Sequence, residues 1–126
     1  MKELENLAES VRKQLNLKYD ADSVKFIEGF IERNKGNFEK DESKGLINSL
    51  GSFLGQCIIE NYGGQWQVDN ETGSVAVAFD DKNKAYPFAK VSKQFENGLE
   101  DSVYSFYTVI PSIFKIEKKK KPWWKF

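Results

Sequence analysis

Apolar residues near the start of the chain fall at Leu4, Leu7, Ala8, Val11 and Leu15, the i, i+3, i+4, i+7, i+11 spacing of one helix face. Asn16 and the stretch Lys18–Asp22 interrupt it, and Asp20 or Asp22 supplies an N-cap for a second helix. That helix carries Val24, Ile27, Phe30 and Ile31 as its apolar stripe and ends near Asn34–Asn37. A third helix is expected over about 42–62, stopped by Gly63-Gly64. At ~100° per residue, Leu46, Leu50, Phe53, Leu54, Cys57 and Ile58 cover one broad arc of it. Gly51 and Gly55 flank that arc, at a cost of ~2 kcal/mol relative to two alanines. Close approach of another backbone is the expected compensation, and this helix is expected to be the central and most buried one. Its small-xxx-small spacing also occurs in membrane helices, but Asn48, Ser52, Gln56, Glu60 and Asn61 mark a helix that sits in water.

After Gly64 the period changes from 3.6 to 2. Trp66 and Val68 alternate with glutamines, Asp69–Gly73 has turn composition, and Val75, Val77 and Phe79 alternate with Ala76 and Ala78. The valines and Phe79 are expected to face inward, and the small alanines to admit a second layer on the other face. Asp80–Lys84 forms another turn, and Pro87 confines any strand near 86–88 to a sheet edge. A short helix then carries Val91 and Phe95 and stops at Asn97-Gly98. The last helix starts at Asp101 or Ser102 with Val103, Phe106, Tyr107 and Ile110 inward. Pro111 is expected to kink or end it, leaving 112–117 as a turn or strand. The fold class is therefore α+β: helices packed on a small antiparallel sheet, made of a hairpin over 65–79 and an edge strand near 86–88.

Length and composition fit that picture without disulfide or metal. The 126 residues suit one domain, and 40% hydrophobic with 14% aromatic content is that of a globular chain. No apolar run approaches the ~20 residues of a membrane span, and the first fifteen residues are amphipathic rather than signal-like, so cytoplasmic localisation is the expectation. Formal charge is zero, with 19 basic and 19 acidic residues, but residues 115–126 hold six lysines against one glutamate, a net +5. The other 114 residues carry the compensating −5. Residues 1–117 are read as one domain and 118–126 as a basic, aromatic tail.

Candidate chemistry is sparse. There is no histidine, which removes the commonest general base and metal ligand and every imidazole-dependent triad. The single cysteine, Cys57, lies within the apolar stripe of the third helix and reads as a small buried hydrophobe. Asp80-Asp81 reads as turn chemistry and Glu100-Asp101 as a helix cap, since sequence neighbours do not converge as catalytic pairs do. The glycines form no phosphate-binding pattern. No cofactor, metal or catalytic set is expected. A carboxylate enzyme would need a concave pocket with two facing acids.

The stretch Leu50–Trp66, followed by Tyr86–Tyr107, resembles a widespread family of small uncharacterised bacterial proteins. The shared pattern is a helix with two glycines, a Gly-Gly-x-Trp entry into a hairpin, and a Pro-Phe-x-Lys-Val segment ending Asn-Gly before Asp-Ser. It covers about 46–107 and leaves the first helices and the tail outside. The resemblance implies a bacterial source and one compact α+β domain, and carries over no catalytic residue.

Binding residues are sought in two places. Trp66 either anchors the hairpin on the third helix or lines a groove beside Pro87 and Phe88; Lys90 and Lys93, three apart, form a small cationic patch or a solvated face. In the tail, Lys118–Lys121 precede Pro122, Trp123, Trp124, Lys125 and Phe126. Four readings stand: docking on its own domain, docking on a partner protein, an anionic membrane surface, or single-stranded nucleic acid. The expected role is non-catalytic binding of another protein, as immunity proteins and adaptors do. The runner-up is a peripheral membrane or nucleic-acid binder acting through residues 118–126.

Overall fold

Helix α3 (Lys40–Tyr62) runs through the middle of the molecule and the other elements are arranged around it. The computed structural model describes residues 2–37 and 40–115. Leu50, Phe53, Leu54, Cys57 and Ile58 of α3 are at most 1% exposed, as expected for the central helix. Helix α1 (Lys2–Leu15) packs along α3 and contributes Ala8 and Val11 to the core. Helix α2 (Ala21–Asn34) buries Val24, Ile27 and Ile31 and packs mainly on α5 (Val103–Phe114). Asp20 is the N-cap of α2, accepting from the Ser23 amide at 2.8 Å, and Ser102 caps α5 by accepting from the Ser105 amide at 3.1 Å.

The sheet has three antiparallel strands in the order β1 (Gln65–Val68), β2 (Val75–Ala78), β3 (Lys84–Ala85). Gly63 and Gly64 join α3 to β1 with φ of +91° and +90°, a region open to glycine at little cost. Trp66 lies opposite Val77, and Val77 opposite Ala85, so these three share the face turned to α3. Val77 is fully buried there, while Val75 and Phe79 are half-buried. On the other face, the Tyr86 hydroxyl donates to Asp69 Oδ2 at 2.8 Å. Tyr86 follows β3 and Asp69 follows β1, so this bond crosses β2, where the small Ala76 is fully buried.

Three local expectations are corrected. The third strand lies at Lys84–Ala85 rather than 86–88, and Pro87 opens helix α4 (Pro87–Asn97). Proline at the first helical position sacrifices an amide that has no helical partner anyway and presets φ. Pro111 does not end α5, which continues to Phe114. Ile110 is fully buried on one side of the proline, and on the other Phe114 packs on Phe79 with ring centroids 5.1 Å apart. Those contacts offset the ~3 kcal/mol cost of an interior proline. Lastly, the nearest neighbours of Gly51 and Gly55 are side chains rather than another backbone. A Cβ on Gly51 would stand 2.5 Å from the Phe88 ring, and one on Gly55 would stand 2.0 Å from the Trp66 indole. The glycines make room for two aromatic rings.

A buried polar network ties the helices together. Gln94 of α4 is fully buried; its Nε2 donates to the Glu28 carbonyl and to Glu32 Oε2, both at 3.0 Å, and its Oε1 accepts from the Val103 amide at 2.9 Å. The Ser102 hydroxyl donates to Glu28 from the start of α5. A 3₁₀ turn over Gly98–Asp101 connects α4 to α5.

Candidate functional site

An apolar groove of about 440 Å³ opens where α1, α3, β2 and α4 meet. Leu4 and Leu7 form one wall, Val75 and Phe88 another, with Asn48, Ser74, Tyr86 and Ala89 at the margins. The apolar stripe of α1 thus extends past the core. Ala8 and Val11 are buried, whereas Leu4 and Leu7 remain half-exposed over the groove. Phe88 is held by two neighbours: Gly51 beneath it, and Trp66 beside it at a centroid distance of 5.8 Å. Trp66 is in turn fixed over Gly55, with its Nε1–H donating to Gln56 Oε1 at 3.3 Å.

Trp66 and Phe88 are therefore brought together, with Trp66 anchoring the hairpin on α3 and Phe88 lining the groove. Pro87 is buried at the start of α4. Lys90 turns elsewhere: its Nζ lies 3.4 Å from Asp101 Oδ1 and 5.6 Å from the centre of the Phe106 ring. Lys93 is exposed and does not border the groove. Trp123, Trp124 and Phe126 lie outside the described residues. Of the residues lining the groove, all but Phe88 were not foreseen as binding residues. Only Tyr86 carried a signal, as a lone large aromatic before a proline.

Tyr86 separates the groove from a polar depression of about 430 Å³ on the outer face of the sheet, bordered by Gln67, Asp69, Glu71, Asp81, Lys82 and Lys84. Asp69 is held below the usual carboxylate range, first by the Tyr86 hydroxyl and then by the Glu71 amide. Asp80 is likewise held down by Asn83 and the amides of its own turn. Asp69 therefore stays ionised at the edge of this depression, and Asp80 at the neighbouring one that it borders with Gln67 and Asp81.

Carboxylates also meet at a shallow cavity of about 320 Å³ bordered by Glu5, Glu9, Tyr19, Gln56 and Glu60. Arg12 Nε donates to Glu9 at 2.9 Å, as does the Tyr19 hydroxyl, and these bonds hold the Glu9 carboxyl at about 2. A group fixed in its ionised form cannot deliver a proton near neutrality, so Glu9 is poorly suited to general-acid work. Burial pushes the Cys57 thiol well above its ordinary range, and an unionised thiol is a poor nucleophile. Among the described residues no three acidic or thiol side chains are grouped to hold a metal ion. No helix among them is long and apolar enough to cross a membrane.

Comparison of the chain with protein-family models, curated proteins and solved structures found no match in any of the three.

Proposed function

We propose that this chain is a non-catalytic, cytoplasmic bacterial protein that binds another protein, as immunity proteins and adaptors do. Its ligand is a basic segment of the partner carrying an aromatic anchor. The observation that carries this reading is the adjacency of the apolar groove to the polar outer-face depression, where Asp69, Glu71 and Asp81 outnumber Lys82 and Lys84, with Tyr86 bordering both. An aromatic side chain would fill the groove, while flanking lysines or arginines would lie against Asp69, Glu71 and Asp81. Complementary charge then fixes orientation and speeds encounter, and the buried ring supplies most of the affinity. The net −5 of residues 1–114 acts in the same sense.

Binding of short peptides to the full chain, followed by fluorescence polarisation, tests this. A basic peptide with one tryptophan should bind; its tryptophan-to-alanine counterpart and an acidic peptide with the same tryptophan should not. Ala89 is exposed at the groove margin, so Ala89→Arg should remove binding without disturbing the fold. Equal binding of all three peptides, or no effect of Ala89→Arg, would refute the reading. Binding to anionic vesicles or single-stranded DNA that survives Ala89→Arg would favour the alternative, a membrane or nucleic-acid binder acting through residues 118–126.

A further inference from the structure

We infer that the outer edge of β1 is a strand-addition site, where an extended segment of a partner protein, alternating apolar and basic residues, pairs along Gln65–Val68 as a further strand of the sheet. The inference takes from the reading given above only that the ligand is a basic segment of another protein.

The phase of the β1–β2 ladder decides which main-chain groups are on offer. The Asp69 amide donates to the Ser74 carbonyl at 2.8 Å, and these two residues continue the register that sets Gln67 opposite Ala76 and Gln65 opposite Ala78. Hydrogen-bonded positions alternate with unbonded ones along an antiparallel pair, so Gln65 and Gln67 direct their main-chain groups to β2. Trp66 and Val68 therefore aim both N–H and C=O away from β2. Among the described residues no strand lies beyond β1 to receive them.

The two edges of the sheet are unlike. β3 is two residues long, carries Lys84 and leads through Tyr86 into Pro87, features that blunt an edge. β1 has four residues in regular register with β2 and contains no charge, proline or bulge. Val68 is 46% exposed on the face turned to α3, so an apolar side chain stands uncovered beside the open groups.

The two faces set the order of residue types in the added strand. Positions opposite Trp66 and Val68 turn to α3, where an apolar side chain covers Val68. Positions opposite Gln65, Gln67 and Asp69 turn to the outer face. Asp69 follows β1 and is held ionised, and Glu71 lies in the turn just beyond it. Lys82 and Lys84 belong to the β2–β3 turn and to β3, on the other side of β2. Gln56, which accepts from the Trp66 indole, also borders the cavity with Glu5, Glu9 and Glu60, of which Glu9 is engaged by Arg12. Charge beside the open edge is thus negative and complements lysine or arginine.

The test uses the full chain and two peptides of one composition, four lysines, three valines and a tryptophan. In one the lysines alternate with the apolar residues; in the other they are grouped at one end. Both carry the charge and the ring that suit the groove, but only the alternating order suits a strand with one apolar and one charged face. By fluorescence polarisation the alternating peptide should bind at least about tenfold more tightly, and it should slow hydrogen exchange at the main-chain amides of Trp66 and Val68. Methylating the main-chain nitrogens of its apolar residues, which face β1, should weaken binding about fivefold for each bond removed; methylating those of its lysines should not. Val68→Pro removes one donor at an edge position that tolerates proline, and should weaken the alternating peptide about fivefold and leave the grouped one unchanged. Equal affinity of the two peptides, or unaltered exchange at Trp66 and Val68, overturns the inference and leaves the groove reading standing. Order-dependent binding that survives Ala89→Arg overturns the groove reading and leaves strand addition standing. Protection of those amides that appears without peptide and grows with protein concentration assigns the edge to a second copy and overturns the inference.

Discussion

Placing a methyl group on Gly55 probes the contact that fixes the hairpin to α3. In an exposed helix, glycine to alanine stabilises by about 1 kcal/mol, because alanine loses less backbone freedom on folding. At Gly55 the new Cβ would stand 2.0, 2.5 and 2.9 Å from Cη2, Cζ2 and Cζ3 of Trp66. Unstrained carbon contacts begin near ~3.5 Å, so the indole must retreat by about 1.5 Å. Retreat of that size costs about 1–3 kcal/mol as overpacking. It also breaks the Trp66–Gln56 hydrogen bond, a further ~1 kcal/mol. The net expectation is destabilisation by about 2 kcal/mol, lowering Tm by roughly 5–10 °C for a chain of this size. Gly45 provides the control within the same helix, since its Cβ would meet nothing within 4 Å. Gly45→Ala should raise stability by about 0.5–1 kcal/mol. Urea denaturation of both variants, and of Gly55→Ala combined with Trp66→Leu, separates the terms. Without the ring, the alanine should cost little, giving a coupling energy above ~1 kcal/mol. If Gly55→Ala proves as benign as Gly45→Ala, the ring does not rest on the helix and the account of α3 fails.

Two further outcomes follow from the buried polar groups and the surface acids. Gln94→Leu keeps the volume of the side chain but strands the Val103 amide and the Glu28 carbonyl, so it should cost about 2–4 kcal/mol in denaturant unfolding; a loss below ~1 kcal/mol would mean that water replaces the amide there. The Glu9 carboxyl is depressed in the folded chain from 4.5 to about 2, so its contribution is present above 4.5 and fades as the pH falls toward 2. Stability–pH curves of the unmodified chain and Glu9→Gln should therefore be separated above pH 4.5 and merge near pH 2; parallel curves would contradict the Arg12 and Tyr19 bonds.

What the sequence made legible is what a single element encodes. The stripe of α3, the hairpin with its period of two, and the caps at Asp20 and Ser102 are local patterns with local causes. Gly51 and Gly55 announced that something lies close to α3, but a missing side chain does not say whether a backbone or a ring fills its place. Pro87 and Pro111 misled for a related reason. Proline forbids one hydrogen bond, and whether that bond was needed depends on the helix register and on partners such as Phe79, far away in sequence. Gln94 sits three residues after Val91 on an inward face, and only the fold reveals that three helices meet there. The groove was the least legible of all. Four elements build it, and its apolar walls read along the chain as ordinary core positions.

Trp66 resting on Gly55 has a dynamic consequence. The other three residues of β1 are exposed, so the first strand grips the helices through one indole. Release of that ring frees β1, while β2 stays held by the buried Val77 and by its pairing with β3, which makes the first strand an easy part of the fold to open. Backbone amides of Gln65–Val68 should accordingly exchange with solvent well ahead of those in the middle of α3. Because Trp66 also stands beside Phe88, the same excursion loosens a wall of the groove, and the lifetime of anything seated there is tied to how often one tryptophan lets go.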